Sequence, residues 1–158
     1  MADREGSPPR LSYDPAADAA ARYPDWIIRT ADLGGVIPEV LSHTRRVILI
    51  ERDHDQSQRR CSLAHALAHL DLGHAETPGG WFEQREEVEA DDLAGRRLLP
   101  LEDLARALRW SRDHDEVARE LDVDVAMLTA RQSRLRREER SRLRRLLARS
   151  DRATWVNR

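Results

Sequence analysis

Two histidines, His65 and His69, are the residues whose type and spacing point most directly to chemistry. They stand four apart in a stretch where leucine and alanine recur at helical spacing. Side chains four apart on a helix lie on the same face and within reach of one another. The two histidines therefore form a candidate pair of ligands for one metal ion. Taken alone, the pair also fits two ordinary buried histidines.

An acidic run, EEVEADD, begins at Glu86 and supplies carboxylates for such a site. Within it, Glu87 and Asp91 are four apart and share a helix face. A catalytic zinc takes three protein ligands and leaves a fourth position open, so the two histidines and one glutamate complete a ligand set. A further carboxylate that accepts the free N–H of a ligand histidine fixes the orientation of its ring, a role suited to Asp91. An acidic run by itself is usually a solvated face; the order of the two motifs, with Leu-Leu-Pro after them, favours a metal site.

The apolar pattern predicts the elements that position these residues. A buried helix is predicted from about residue 56 to 72, with Gly73 as its C-cap, and a second helix from about 83 to 98, ended by Pro100. Upstream, the runs VIPEVL (36–41) and VILIE (47–51) predict a small antiparallel hairpin. The predicted fold class is therefore α+β.

Most of the remaining sequence is predicted to be helical. Asp14 and Pro15 predict the start of a helix through AADAAARYPDWII, which Pro24 should kink or restart. Further helices are predicted at about 101–110, 114–121 and 125–150. The fold is thus expected to be mostly helical, with a helical C-terminal extension.

The run RRCSLAHALAHLDLGH, followed after a loop by EEVEADDLAGRRLLP, resembles the ImmA/IrrE family of metallopeptidases. Members of that family carry segments of the form TLAHELAHLLLGH and ExExAxxFAxxLLMP. DLGGVIPEV and VILIERD resemble the stretch upstream of the family's metal helix, and DEVARELDVDVAMLTARQSRL resembles its helix-turn-helix-like C-terminal segment. The resemblance covers roughly residues 30–135 and implies a zincin-like domain that binds zinc.

The resemblance also implies roles for individual residues. His65 and His69 match the two zinc-binding histidines of the HExxH motif, and Glu87 matches the glutamate ligand downstream. Glu89, in the neighbouring acidic position, is the runner-up ligand, and Asp91 is expected to orient a histidine from outside the ligand set. The implied activity is cleavage of a DNA-binding transcriptional repressor in a phage, mobile-element or stress-response switch.

His74 comes five residues after His69, one residue short of the spacing of a metzincin third histidine. We therefore interpret His74 as a helix-end or loop residue.

Ala66 departs from the family pattern, because HExxH enzymes place there the glutamate that acts as general base and acid. Alanine cannot transfer a proton, so the sequence predicts a metal site without its base and an inactive chain. A deliberate Glu-to-Ala substitution would leave the ligands intact, as they are here. A natural pseudoprotease that binds the family's target without cutting it is the other explanation. The intact ligand set favours the substitution, because a drifting pseudoenzyme is expected to lose ligands as well.

The C-terminal part is strongly basic. Residues 131–158 hold 11 arginines against three acids, a net +8, whereas residues 1–130 hold 16 arginines against 26 acids, a net −10. Residues 114–131 have the pattern of a helix, a tight turn and a second helix, which with the arginines could contact DNA phosphates. We rank a scaffold role, or docking on a partner through an apolar stripe, above direct DNA binding. The stripe consists of Leu135, Leu143, Leu146 and Leu147.

The composition of the chain indicates whether it associates with membranes and where in the cell it is located. Of the 158 residues 35% are charged, and no apolar run approaches the ~20 residues of a bilayer span, so no membrane association is expected. The single cysteine, Cys61, and the absence of a secretion signal favour a cytoplasmic location. We expect a flexible tail at 1–13, a zincin-like metallopeptidase domain at 14–112, and a helix-turn-helix-like segment with an arginine-rich helix at 113–158. The oligomeric state stays open.

Overall fold

The computed structural model describes residues 12–76 and 82–153. Within these ranges the chain forms helices and strands in an α+β fold, which confirms the predicted class. In chain order they are α1 (Pro15–Arg22), β1 (Ile27–Ala31), β2 (Glu39–Ser42), β3 (Val47–Glu51), α2 (Gln56–Leu72), α3 (Gln84–Leu98), α4 (Leu101–Trp110), α5 (His114–Glu120), α6 (Val125–Ser133) and α7 (Arg137–Ala153). The predicted tail lies outside the described residues except for its last two. No helix in the described ranges has the length and apolar character needed to cross a membrane.

The three strands form a mixed sheet in the order β1-β3-β2. The predicted hairpin is present, because β2 runs antiparallel to β3. The expectation of a purely antiparallel sheet is corrected by β1, which pairs with β3 in parallel. The helix predicted through AADAAARYPDWII extends into the start of β1, and this part of the prediction is wrong. The helix instead ends at Arg22, before Pro24, and the β-branched residues that follow pair with a strand twenty positions away.

The loop between β1 and β2 is held by Glu51, the last residue of β3. One oxygen of its buried carboxylate accepts hydrogen bonds from the backbone N–H groups of Leu33 (3.0 Å) and Gly35 (2.8 Å). Gly34 and Gly35 have φ values of 81° and 70°, which favour glycine. Residues 36–38, predicted as strand, belong to this turn, so β2 begins at Glu39.

Helix α2 is capped at both ends and buried through its middle. Asp55 and Gln58 form a reciprocal capping box at its start, and Gly73 ends it in the left-handed conformation (φ 68°). Leu63, Ala66 and Leu67 pack towards the sheet, whereas Cys61, Ala64 and Ala68 pack into the helical layer. The helix therefore lies between sheet and helices, in agreement with the predicted buried helix at 56–72.

Helix α3 packs against α2 through Ala90, Ala94 and Leu98, and the small side chains allow close approach. On another face of α3, Gly95 lies against Met127 and Arg131 of α6. One hydrophobic cluster consequently contains residues of α2 through α7. Residues 14–112 and 113–158 both contribute to this cluster.

The predicted long helix at 125–150 is interrupted at residues 134–136, which separate α6 from α7. Leu135 is buried at this break, and Arg134 reaches back to Asp91 on α3 (3.0 Å). Leu143, Leu146 and Leu147 join the cluster that includes α4. Leu135 and Leu143 of the apolar stripe predicted for docking a partner are therefore buried within the chain, and Leu146 and Leu147 are partly buried.

Candidate metal centre

His65 and His69 project from the middle of α2 into one small space. They are 9% and 2% exposed, and their Nε2 atoms lie 2.9 Å apart. The ring of Phe82 stacks on His69 at 3.7 Å between centroids and 17° between planes. The predicted pair thus shares one face of the helix and is held by packing.

Glu87 reaches the same space from α3. Its Oε2 lies 3.1 Å from His65 Nε2, and its Oε1 lies 3.6 Å from His69 Nε2. Among the described residues, these three supply donor atoms that all lie within 4.8 Å of one another. Zinc bonds of about 2.0–2.1 Å in a tetrahedron place neighbouring donors about 3.3 Å apart, so the spacing and the donor types fit zinc.

Asp91 lies one helical turn beyond Glu87 and contacts the other side of His65. Its Oδ1 is 3.0 Å from His65 Nδ1, and Arg134 donates to its Oδ2 at 3.0 Å. A proton on Nδ1 leaves the Nε2 lone pair of His65 directed at the donor group. The arrangement is the one expected for an orienting carboxylate.

Burial and the neighbouring charges shift the pKa values of the three donor residues. Burial opposes a positive charge on His65, but its hydrogen bonds to Asp91 and Glu87 outweigh that effect and raise the pKa of His65 to about 10. Burial lowers the pKa of His69. Hydrogen bonds from both histidines hold the pKa of Glu87 far below its usual range. Protonation of His65 therefore competes with metal binding at its Nε2 atom.

Ala66 is 1% exposed and packs with Ile48 and Ile50 of the sheet. Its methyl group offers no atom that can accept a proton. The site thus holds three candidate ligands and an orienting carboxylate, and the HExxH base position holds alanine.

Glu89, the predicted runner-up ligand, lies outside the donor group. Its Oε2 is 3.3 Å from Nε2 of His74, and its Oε1 is 3.1 Å from Nε of Arg85. His74 follows the end of α2, as predicted, and is 6% exposed.

Glu39, which is not among the residues predicted from the sequence, also faces the site. It is the first residue of β2, and its Oε1 lies 3.8 Å from His65 Nε2. Burial raises the pKa of Glu39, opposed by the charge of His65 and a hydrogen bond from Ser62. An acidic residue inside the apolar run VIPEVL was the available signal, because a charge in a half-buried strand needs a partner.

A cavity of about 390 Å³ opens beside His65 and Glu87. Residues of β2, α2, α3 and α6 line it, among them Glu39, Ser62, His65, Asp124 and Met127. Helix α6, the second helix of the helix-turn-helix-like segment, also packs on α3. It is therefore a wall of the cavity beside the candidate metal centre.

The comparisons with known proteins agree with this geometry. The profile of the peptidase M78 family, described as the IrrE N-terminal-like domain, matches residues 28–133, about two thirds of the chain. No curated protein and no solved structure gives a significant match. The matched range contains the sheet except Ile27, both helices that carry the donor atoms, and α6. The chain therefore belongs to the M78 peptidase family, the ImmA/IrrE-type metallopeptidases.

Proposed function

We propose that the chain is a zinc-binding endopeptidase of the ImmA/IrrE type, directed at a DNA-binding transcriptional repressor, which Ala66 leaves unable to cut. The observation that carries the proposal is the convergence of donor atoms from His65, His69 and Glu87 in a chain of this family. Because such a repressor acts in the cytoplasm, the proposal includes a cytoplasmic location.

The residues of the candidate site have separate roles in the proposed function. His65, His69 and Glu87 would hold zinc, which when bound supplies Lewis-acid catalysis at the peptide carbonyl. Asp91 orients the ring of His65 through Nδ1. β2 is an edge strand whose first residue, Glu39, lines the cavity. An extended segment of a protein substrate can add to such an edge and present a peptide bond to the donor group.

The missing step is proton transfer. A glutamate after the first histidine of HExxH takes a proton from water and passes it to the leaving amine, which contributes about 10²- to 10⁴-fold in rate. Ala66 supplies neither function. Because that glutamate is not a metal ligand, the alanine leaves zinc binding intact.

Restoring the glutamate tests the proposal. Zinc-loaded Ala66→Glu protein is incubated with a lysate of the source cells, and new protein termini are mapped by mass spectrometry. We expect cuts in one or a few helix-turn-helix repressors, absent with the unmodified chain and with the matched Ala66→Glu/His65→Ala double variant. Cuts spread over unrelated proteins, or equal in the double variant, would contradict the proposal.

The Glu39→Gln variant addresses the inactivity of the unmodified chain. Hydrolysis by the unmodified chain that disappears in Glu39→Gln would overturn the inactive assignment and give the proton transfer to Glu39. We expect no hydrolysis by either.

A pseudoprotease that binds a repressor without cutting it is the second candidate, and Ala66 is the observation that favours it. The same lysate separates the two. A repressor that co-purifies with Ala66→Glu protein and stays intact would establish the pseudoprotease. A parent gene that encodes glutamate at position 66 would instead identify the alanine as a substitution.

Direct DNA binding by residues 114–158 is a third candidate, supported by exposed arginines on α7 such as Arg144, Arg145 and Arg149. Against it, α6 packs on α3 through buried Met127 and Leu128. Duplex DNA binding at low salt that falls steeply with added salt, and that is lost in Arg144→Ala/Arg145→Ala, would support it. No mobility shift at low salt would eliminate it.

A further inference from the structure

Each histidine of the candidate metal centre needs a partner for its second ring nitrogen. With Nε2 directed at a metal, Nδ1 carries the proton and must donate it to an acceptor, which fixes the tautomer and the ring plane. For His65 that acceptor is the carboxylate of Asp91. Within residues 12–76 and 82–153, no carboxylate lies in the equivalent place at His69, so its acceptor there is of another kind.

The partner of His69 is the ring of His74. The two Nδ1 atoms lie 2.9 Å apart, a normal hydrogen-bond distance. If His69 donates from Nδ1, then Nδ1 of His74 must be the acceptor, because a hydrogen bond needs one donor and one acceptor. A neutral His74 then carries its own proton on Nε2.

That second proton also has an acceptor. Nε2 of His74 lies 3.3 Å from Oε2 of Glu89. The hydrogen bonds therefore run in one direction, from His69 to His74 and from His74 to the carboxylate. In these two hydrogen bonds, Nδ1 of His69 donates, Nδ1 of His74 accepts and Nε2 of His74 donates.

The backbone and the packing hold this chain in place. Gly73 adopts φ 68° and turns the chain so that the N–H of His74 bonds to the carbonyl of His69 (3.1 Å). The ring of Phe82 stacks on a face of the His69 ring. Arg85 holds the second oxygen of Glu89 at 3.1 Å. His74 is buried with both ring nitrogens engaged.

We propose that His74 and Glu89 form a positioning relay for His69, the counterpart of Asp91 at His65, which fixes the tautomer of His69 and strengthens its bond to zinc. The proposal rests on the zinc site of the proposed function. It assigns one role to two residues for which the sequence predicts a loop histidine and a runner-up ligand. Neither residue touches the metal; both act through His69.

Zinc affinity tests the relay in the full chain, by competition with a chromophoric chelator. His74→Leu removes both hydrogen bonds and should weaken zinc binding by about 10- to 100-fold, the range for partners of metal-ligating histidines. Glu89→Gln should weaken it less, since the amide oxygen still accepts. Glu86→Gln is the matched control, because it removes the same charge on the same helix and keeps its capping role.

The double variant separates a relay from general damage. Because Glu89 acts through His74, His74→Leu/Glu89→Gln should bind zinc no more weakly than His74→Leu alone. Additive losses, or an equal loss in Glu86→Gln, would overturn the relay. Glu89 is partly exposed, so Glu89→Gln is expected to fold even if His74→Leu does not.

The tautomer of His74 gives a second readout, independent of affinity. Long-range ¹H–¹⁵N correlation spectra of the zinc-loaded chain should show His74 protonated at Nε2 and bare at Nδ1. Protonation at Nδ1 would overturn the proposal, since that nitrogen could not accept from His69. A chain that binds no zinc would overturn the metal site itself, whereas normal zinc binding in all variants would remove only the relay.

Discussion

The chemistry of the site depends on which atom of each side chain faces the donor group. His65 and His69 both present Nε2, and each has a different partner on Nδ1. Glu87 presents both carboxylate oxygens, one towards each histidine. Glu89 lies two residues along the same helix and points its carboxylate to His74. Two neighbouring glutamates therefore make different contacts, which their positions in the sequence do not reveal.

Exchange of each glutamate for glutamine tests this division. Glu87→Gln removes a ligand and should reduce bound zinc to well below one per chain after dialysis. Glu89→Gln should keep one zinc per chain when zinc is in excess, because it alters affinity and not the ligand set. Metal analysis of the two purified variants decides, and zinc lost only in Glu89→Gln would make Glu89 the ligand.

Helices α2, α3 and α6 hold the site through close packing of small residues. Gly95 lies in the interior of α3 against α6, and a Cβ placed there would meet Arg131 and Met127 at 3.4–3.5 Å, ordinary van der Waals distances. Gly73 ends α2 with φ 68°, where a side chain is strained even though the space is open. Backbone conformation therefore favours glycine at position 73, whereas position 95 is close to neighbouring side chains but has room for a methyl group.

Replacement of each glycine by alanine should therefore change the free energy of unfolding in opposite directions. Gly95→Ala should raise the free energy of unfolding by up to about 1 kcal/mol, the helix propensity difference. Gly73→Ala should lower it by roughly 1–2 kcal/mol, the cost of a left-handed residue with a Cβ. Urea denaturation of both variants measures this. A loss of stability in Gly95→Ala would mean that α3 and α6 cannot accommodate the methyl group.

The buried ion pair between α6 and α7 predicts a pH dependence. Arg131 is 3% exposed and bonds both oxygens of Glu139, at 2.7 and 3.1 Å, which lowers the pKa of Glu139 to about 2. A lowered folded-state pKa adds stability above the unfolded value of 4.5, and this stability is lost as pH falls through about 2. The stability difference between the unmodified chain and Glu139→Gln should be constant above pH 5 and shrink towards pH 2. A difference that grows on acidification would contradict the assignment.

The sequence predicts elements where local signals agree. Helix α2 has a cap at each end and a regular apolar pattern, and the structure places it at Gln56–Leu72 as predicted. Strand β1 has no such signal, because its pairing partner β3 is distant in the chain. The same holds within the site. Spacing brought His65 and His69 together, whereas Glu39 and His74 reach them only through the strand order and the turn after Gly73.

At the scale of the whole molecule, the C-terminal helices complete the core. Val117, Leu121, Leu128, Leu135 and Leu143 pack in one cluster with Ala94, Leu98 and Leu104. Arg134, at the end of α6, also bonds Asp91, whose other carboxylate oxygen contacts Nδ1 of His65. The helix-turn-helix-like segment therefore contacts the surroundings of the candidate metal centre directly.

A truncated chain tests this dependence. The fragment 12–112 loses α5, α6 and α7 and leaves the apolar faces of α3 and α4 uncovered, so it should show no cooperative thermal unfolding. The full chain should unfold in a single transition with coincident far-UV and near-UV signals. A fragment with a sharp transition of its own would show two independent units.

The central claim is that His65, His69 and Glu87 bind zinc in this member of the M78 family. Its most direct test is the metal content of the full chain, purified without chelator from zinc-supplemented cells, beside that of His65→Ala. We expect about one zinc per chain in the unmodified protein and well below one in the variant. An unmodified protein without zinc, or a His65→Ala protein that keeps it, would contradict the account.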